Sequence, residues 1–202
     1  MAARARRRDL AGPATEVARD LVGWTLAARS PQGVLRAMIV ETEAYPPEDP
    51  ASHAFGGPTP RNGSMFGRPG TLYVYVSYGI HHCCNVVTDR IDVGSAVLLR
   101  AAEPTRGIAL MRARRGGVPD RDLCRGPGRL AAAFGLDRRH DGEDLVLGRT
   151  VWLERGTPPG RVVASPRVGI RRAVDRPWRF SVAGSPWVSS PRPVRGRAST
   201  PP

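Results

Sequence analysis

The chain has 202 residues, a length that fits one sizeable domain and exceeds that of a peptide-like module. Hydrophobic residues make up 41% of it and can fill a core, whereas 24% charged residues and a net charge of +13 exclude the neutral surface of an ordinary metabolic enzyme. All 31 basic residues are arginine, so the chain lacks the lysine that a P-loop or a Schiff-base lyase uses. This composition favours a polyanionic partner bound through its phosphates.

Composition also predicts one domain between two basic tails. Residues 1–9 are mainly Ala and Arg, and residues 190–202 are rich in Pro, Ser and Arg, so neither segment has the apolar surface to order itself. We therefore expect solvated tails around a domain that spans residues 10–189. The three cysteines lack disulfide-framework spacing, and no apolar run has the length of a signal peptide or a membrane span. These features predict a reduced cytoplasmic protein that does not enter a membrane.

Hydrophobic periodicity and turn residues predict the elements in chain order. Helices are expected over residues 13–21, 104–115 and 126–134. Strands are expected over residues 24–28, 34–45, 71–87 (interrupted at 77–79), 96–101, 151–153, 167–170 and 179–182. Few helices and hairpin-spaced strands favour a single-domain α+β fold. We predict a mixed, mostly antiparallel curved sheet, partly open like a barrel, with flanking helices and a protruding β-hairpin.

Two glutamates and a tyrosine alternate along the second predicted strand. Because successive side chains of a strand point to opposite faces, Glu41, Glu43 and Tyr45 project together. Carboxylates on residues about 6.5 Å apart raise one another's pKa where water is excluded, as suits a water-activating base. The alternative is that one or both acids offset arginines on an exposed strand.

All four tyrosines lie between Tyr45 and Tyr78. Tyr73 and Tyr75 share a strand face and form either part of the core or a stacking pocket that favours a flat cationic ligand. Tyr78 comes at a turn beside Gly79, where a ring is placed to enter a base stack. The chain has only three Asn or Gln side chains, too few for extensive reading of adenine. We therefore expect nucleic acid held mainly through its backbone.

Three further groups have open interpretations. The sequence HHCC at 81–84 has metal-ligand residue types, but adjacent strand residues face opposite ways and no second pair completes a site, so we expect no metal. His53 is either a pocket donor or an ordinary loop histidine. Arg100 ends an apolar strand and forms either a simple ion pair with a nearby glutamate or, with Glu43, a site that positions a water.

An ordered series of motifs gives the chain a likeness to a known family. The motifs are VETEAY at 40–45, TPRN at 59–62, MF at 65–66, PGTLYVY at 69–75, YG at 78–79, Asn85, VLLRAAEP at 97–104, LCRGPGRL at 123–130 and RFSVAGSPWVS at 179–189. With these, the chain resembles the alkyladenine (3-methyladenine) DNA glycosylases over roughly residues 10 to 189. Two departures are the histidines His81 and His82, where known members carry aromatic side chains, and a loop 45–53 that is one residue shorter.

The resemblance implies a monofunctional DNA glycosylase that needs no cofactor and has no lyase step. Glu43 is implied as the general base for a water that attacks the glycosidic carbon, with Arg100 and the backbone carbonyl of Val168 holding that water. The implied substrates are extruded alkylated or deaminated purines, namely 3-methyladenine and 7-methylguanine, with hypoxanthine and ethenoadenine as further candidates. The implied partner is double-stranded DNA with damaged purines, bound by a monomer in the bacterial nucleoid.

The resemblance also distributes residues around the DNA. Extruding a nucleotide costs a few kcal/mol, least for a damaged or mispaired base, so instability of the lesion contributes to selectivity. In the implied complex, the pocket walls are Tyr45, His53 and Tyr75, the floor that discriminates against guanine is Asn85, the intercalating residue is Tyr78, and the flanking contacts are Ile80 and His81.

Two other functions compete with this prediction. One is a non-enzymatic, arginine-rich nucleic-acid-binding module that uses the tyrosines as a stacking platform. The other is a carbohydrate hydrolase with Glu41 and Glu43 as its acid and base. The first gives Glu43 no task, and the net charge of +13 argues against the second.

Overall fold

Antiparallel strands dominate the computed structural model, which describes residues 3–189. The helices are α1 (Ala14–Asp20), α2 (Ile108–Arg114) and α3 (Pro127–Phe134). The strands are β1 (Thr25–Ser30), β2 (Gly33–Tyr45), β3 (Leu72–Ser77), β4 (His81–Thr88), β5 (Ser95–Arg106), β6 (Val151–Glu154), β7 (Val162–Ser165) and β8 (Arg179–Val182). The predicted C-terminal tail, 190–202, lies outside the described residues. Within residues 3–189, no helix has the length and apolar character needed to cross a membrane.

The sheet is curled around its longest strand, β2. The strand order is β3-β4-β5-β2-β1-β6, and neighbouring strands in this order pair antiparallel. β2 pairs with β1 along its first half and with β8 at residues 41–43, while β5 follows its other edge. Register shifts between β2 and β5 near Ile39 and Glu41 bend the strand, as bulges do. The result is a half-barrel within a single α+β domain, which confirms the predicted fold class.

Burial along β2 changes where the strand enters the curl. In its first half the pattern alternates, with Leu35 and Ala37 buried and Arg36 partly exposed. From Ile39 to Ala44 the side chains are buried on both faces, because α1 covers one face. The Thr42 hydroxyl donates to the Ala18 carbonyl of α1 at 2.7 Å. The opposite face of this buried half carries the two glutamates.

The protruding hairpin β3–β4 has an unusual turn. Ser77 pairs with His81, and the Ile80 N–H donates to the Ser77 carbonyl at 3.2 Å. Tyr78 and Gly79 both have positive φ, 50° and 73°. Gly79 tolerates this conformation because it has no Cβ, but for a bulky residue such as Tyr78 it is rare and strained. Backbone strain of this kind concentrates at functional sites.

Two predicted element boundaries were wrong. Pro104 does not open a helix: it pairs with Ala37 inside β5, at a register shift where a proline is tolerated, and α2 begins only after Gly107. Residues 167–170 do not form a strand. The strand before them ends at Ser165. The Val168 N–H instead donates to Glu43, and the Arg167 side chain donates to Asp49.

The N-terminal segment also differs from the predicted basic tail. Residues 3–9 lie against the domain: the Ala5 N–H donates to the Leu153 carbonyl at 3.0 Å, and Ala5 is buried. Arg7 forms an ion pair with Asp144 at 2.5 Å. The composition of this segment predicted a solvated tail because it is rich in positive charge. In the structure, its arginines contact carboxylate and carbonyl groups on the domain surface.

Candidate active site

A cleft of about 540 Å³ opens between the β3–β4 hairpin, the end of β2 and residues 168–172. Its walls include seven of the residues that sequence reasoning assigned to the site. They are Glu43, Tyr45, His53, Tyr75, Asn85, Arg100 and Val168. Tyr78 lines the same cleft from the hairpin turn. The fold thus brings together side chains that are as much as 125 residues apart in the sequence.

Glu43 is fully buried and has three donors around its carboxylate. Oε1 accepts the Val168 N–H at 2.8 Å, and Oε2 accepts the Tyr45 hydroxyl at 3.0 Å. The Arg100 Nη1 lies 3.4 Å from Oε2. Burial raises the pKa of Glu43 above its ordinary value, although Arg100 and the two hydrogen bonds partly oppose this effect. A carboxyl with a raised pKa in a cleft is suited to accept a proton from water.

Glu41 has a different environment two residues away. Its Oε1 lies 3.2 Å from Arg100 Nε and 3.3 Å from Arg179 Nε, and its Oε2 accepts the Ser189 N–H at 2.7 Å. Glu41 offsets arginines, as the alternative expected, but on a buried strand and not an exposed one. Glu43 lines the cleft, and its role as a base stays a prediction. The Arg100 guanidinium joins the two acids. The predicted ion pair of Arg100 is present with both of them.

Aromatic rings form the cleft wall beside Glu43. Tyr73 and Tyr75 are stacked, with centroids 5.7 Å apart and planes 30° apart. The His53 ring meets Tyr75 edge-on at 4.5 Å, and its Nδ1 lies 3.0 Å from the Tyr73 hydroxyl. Tyr73 is buried and Tyr75 partly exposed, so the first ring supports the second from the core. Tyr73 belongs to the core, as one interpretation expected, and the stacking role of Tyr75 stays a prediction.

The polar groups of this wall are uncharged. Burial and the positive charge of Arg61 lower the pKa of His53, which favours the neutral ring. Burial raises the pKa of Tyr73 to about 12 and also raises that of Tyr75, so both hydroxyls keep their protons. The result is an electron-rich, neutral wall in the same cleft as a buried carboxylate. Such a wall favours a flat ligand, and a cationic one most of all.

Asn85 lies at the inner end of the wall. It is buried, lines the cleft, and donates from Nδ2 to the Tyr73 carbonyl at 3.1 Å. Its position agrees with a place on the cleft floor, and its role in rejecting guanine stays a prediction.

The hairpin turn presents its side chains to solvent beside the cleft mouth. Tyr78 is 87% exposed and Ile80 73% exposed, although both are large and apolar. Exposed apolar side chains at the rim of a cleft are typical of a binding surface. His81 is also exposed, and its ring lies against Gly128 at the start of α3. Cys83 lines the cleft whereas Cys84 is in the core, so the two adjacent cysteines face opposite ways.

Sequence reasoning missed several residues that build the site. Arg61 lines the cleft and donates to the Val76 carbonyl at 3.0 Å, and its signal was its place within the TPRN motif. Arg171 and Arg172 line the cleft mouth as an adjacent basic pair. Val168 contacts Glu43 through its N–H, whereas the expectation concerned its carbonyl. The carbonyl's role stays a prediction.

Comparison with known proteins identifies the family of this chain. The sequence profile of the methylpurine-DNA glycosylase family matches residues 8–186. A protein of Rubrobacter xylanophilus is 48% identical over 179 residues, which cover 88% of this chain and 93% of the relative. A protein of Rhodopseudomonas palustris strain BisB18 is 51% identical over 176 residues, or 87% and 86% of the two chains.

A third relative, from Granulibacter bethesdensis, is 50% identical over 186 residues, which cover 91% of this chain and 86% of the relative. All three relatives are bacterial, and each is provisionally named a 3-methyladenine DNA glycosylase. The family match and these identities extend over nearly the whole described domain. The chain therefore belongs to the methylpurine-DNA glycosylase family of DNA repair hydrolases.

Proposed function

We propose that this glycosylase hydrolyses the N-glycosidic bond of flipped-out alkylated purines in double-stranded DNA, with Glu43 as the general base. One observation carries the proposal: a fully buried carboxylate with a raised pKa lines the same cleft as a wall of neutral aromatic rings. The wall suits a planar damaged base, and the carboxylate suits a water beside the sugar. Neither a binding module nor a structural ion pair requires both features in one cleft.

The proposed reaction is a displacement at the sugar carbon C1′. As a water oxygen bonds to C1′, Glu43 takes a proton from that water, and the bond between C1′ and the purine nitrogen breaks. The bonding electrons pass to the purine. In 3-methyladenine and 7-methylguanine they neutralise the positive ring, so the leaving group needs no acid. Arg100, Tyr45 and Val168 hold the Glu43 carboxylate in place through the contacts given above.

The aromatic wall provides the selectivity in this proposal. Tyr45, Tyr75 and His53 enclose the base, and cation–π attraction favours a ring that methylation has made positive. Tyr78 fills the space that the extruded nucleotide leaves in the duplex, with Ile80 and His81 against the flanking base pairs. Hypoxanthine and ethenoadenine are neutral, so their release requires protonation of the purine and is expected to be slower.

The proposed enzyme leaves an intact abasic strand. A lyase step forms a Schiff base with an amine, and the chain contains no lysine. Because its relatives are bacterial and its charge is strongly positive, we propose that it acts as a monomer on DNA of the bacterial nucleoid, in a salt-dependent way. No cofactor is needed for the reaction as written.

The test is base release from a duplex that contains 7-methylguanine, read by chromatography, together with strand scission before and after alkali. We expect free base and scission only after alkali. Scission without alkali would contradict the absence of a lyase step. Binding of the duplex without any base release would instead support the nucleic-acid-binding module.

A further inference from the structure

A second buried ion pair lies directly behind the cleft and has no part in the reaction described so far. It joins Asp49, in the loop after β2, to Arg167, and both side chains are fully buried. Arg167 Nη2 donates to one Asp49 oxygen at 3.0 Å, and Nη1 donates to the other. Nη1 also donates to the Ala44 carbonyl at 2.9 Å. One guanidinium thus ties the loop after β2 to the end of β2 itself.

Arg167 also holds the ring of Tyr45. Its guanidinium carbon lies 4.7 Å from the Tyr45 ring centroid and 5.1 Å from that of Trp178, so the planar group is packed between two aromatic side chains. The Tyr45 hydroxyl is a donor to Glu43. A shift of this ring therefore moves one of the hydrogen bonds of the proposed base.

The backbone next to Arg167 supplies another of these hydrogen bonds. The Val168 N–H donates to Glu43 Oε1, from a segment that belongs to no strand. With no ladder of hydrogen bonds to fix residues 167–170, the buried side chain of Arg167 is the anchor next to the donating amide. Two of the three donors to Glu43 thus depend on Arg167, and only Arg100 reaches Glu43 independently from β5.

Asp49 connects the same anchor to the loop that carries His53. The Asp49 N–H donates to the Pro46 carbonyl, and the Asp49 carbonyl and carboxylate accept the Ser52 and Ala51 N–H groups at 2.8 and 3.2 Å. These contacts fold residues 46–52 into a compact turn. A buried ion pair contributes little net stability compared with apolar residues of the same size. We therefore expect this pair to fix the geometry of the loop and not to add to the stability of the fold.

We infer that Asp49 and Arg167 are positioning residues that hold the Tyr45 hydroxyl and the Val168 amide on Glu43. The inference rests on the proposed function, because it concerns the geometry of the proposed base. The other groups that face Glu43 are Arg100 of β5, Glu41 of β2 and Tyr75 of β3, and none of them touches the Asp49–Arg167 pair in the contacts given above.

The first test is Arg167→Lys. Lysine keeps the charge but cannot bridge both Asp49 oxygens and Ala44, nor stack as a plane. Because small displacements of catalytic groups cost up to about a hundredfold, we expect single-turnover base release to fall at least about tenfold. The acid limb of the pH profile should move to higher pH, since Glu43 loses donors that lower its pKa. Lesion-duplex affinity should stay within about threefold, because phosphate contacts dominate it.

The matched control is Arg36→Lys. Arg36 is also paired with a carboxylate, Glu154 at 2.9 Å, and also lies over an aromatic ring, Trp152, but it belongs to the opposite end of β2. We expect this variant to lose stability without a change in the rate or in the acid limb. If Arg36→Lys shifts the acid limb as Arg167→Lys does, the effect is general loosening and the inference is wrong.

A measurement on the free protein separates this inference from the proposed function. The Glu43 carboxyl carbon can be titrated by 13C NMR without any substrate, with Glu43→Gln to assign the signal. The titration midpoint should be higher in Arg167→Lys than in the wild type, and an unchanged midpoint would overturn the inference whatever the activity. If Arg167→Lys does not fold, Asp49→Glu keeps both charges, displaces the carboxylate by one methylene and should shift the midpoint the same way. A wild type that releases no base contradicts the proposed function alone.

Discussion

Glu41 and Glu43 lie two residues apart on one strand, are both fully buried, and share one arginine, yet their surroundings differ. Two guanidinium groups approach Glu41 within 3.3 Å, and a backbone N–H completes its shell outside the cleft. Glu43 has one guanidinium at 3.4 Å and borders the cleft. Glu41 thus contacts two guanidinium groups, whereas Glu43 contacts one and lines the cleft.

On one strand, Glu41 thus belongs to an arginine cluster, whereas Glu43 lines the cleft and is the proposed base. Two arginines and two glutamates balance in charge, but the arginine contacts are concentrated on Glu41. Arg100 Nε contacts both Glu41 and the Ser189 hydroxyl, the latter at 3.1 Å, and its Nη1 lies near Glu43. The Glu41 cluster therefore positions a cation beside the base. Three predictions, from two substitutions of these glutamates, test the comparison.

The largest effect is expected for Glu43→Gln. Removal of a general base costs about 10²–10⁴-fold in rate, and glutamine cannot accept the proton of the attacking water. Folding should be little affected, because Arg100 keeps Glu41 as a partner. Single-turnover base release and thermal unfolding, measured on the same preparation together with lesion-duplex binding, check this. A variant that releases base at a rate near that of the wild type would remove Glu43 from the mechanism.

The opposite pattern is expected for Glu41→Gln. Breaking a buried ion pair by removing one partner costs about 3–5 kcal/mol, and here the loss leaves Arg179 without its carboxylate and Arg100 with only Glu43. Base release, measured below the unfolding temperature, should change less than tenfold. Urea unfolding measures the first effect and single-turnover assays the second. If Glu41→Gln abolishes base release in a folded protein, the division between the two acids is wrong.

Much of this site was predictable from the sequence because strand periodicity is short-range. Alternation put Glu41, Glu43 and Tyr45 on one face, and the position of Tyr78 before a glycine predicted an exposed turn. For the curl of the sheet, the sequence predicted only a curved, partly open sheet and not the residues at which it bends. β2 stops pairing with β1 and begins pairing with β8 near the register shifts between β2 and β5. No local sequence pattern encodes these shifts.

Contacts between residues far apart in the sequence were harder to predict than the strand face on which a side chain lies. Glu43 meets Val168 across 125 residues, and Arg167 meets Asp49 across 118. The sequence around residue 167 reads as an apolar strand, whereas its arginine is buried against an acid in a distant loop. Likewise, the arginines before residue 10 read as solvated because composition does not reveal which carboxylates they will meet. Such pairings depend on tertiary geometry: the family resemblance placed Val168 near Glu43, but only the structure showed its N–H contact and the Arg167–Asp49 pair.

The smallest expected effect is a pH-dependent difference in stability between Glu43→Gln and the wild type. Burial raises the pKa of Glu43 in the folded state above its ordinary value of 4.5. The folded protein therefore binds this proton more tightly than the unfolded chain, so the stability from Glu43 is fully present below the unfolded pKa and is lost as pH rises through the folded pKa. Glutamine does not ionise. The free energy of unfolding of Glu43→Gln should therefore rise relative to that of the wild type as pH rises, by about 1.4 kcal/mol for each tenfold difference in proton affinity between the folded and unfolded states.

Urea unfolding from about pH 4 to about pH 8 measures this difference. The exposed Glu16→Gln variant on α1 gives the baseline for loss of one carboxylate away from the cleft. A difference that stays constant with pH, once this baseline is subtracted, would mean that the folded protein ionises Glu43 as easily as the unfolded chain does. The argument for Glu43 as the base would then rest on its place in the cleft alone.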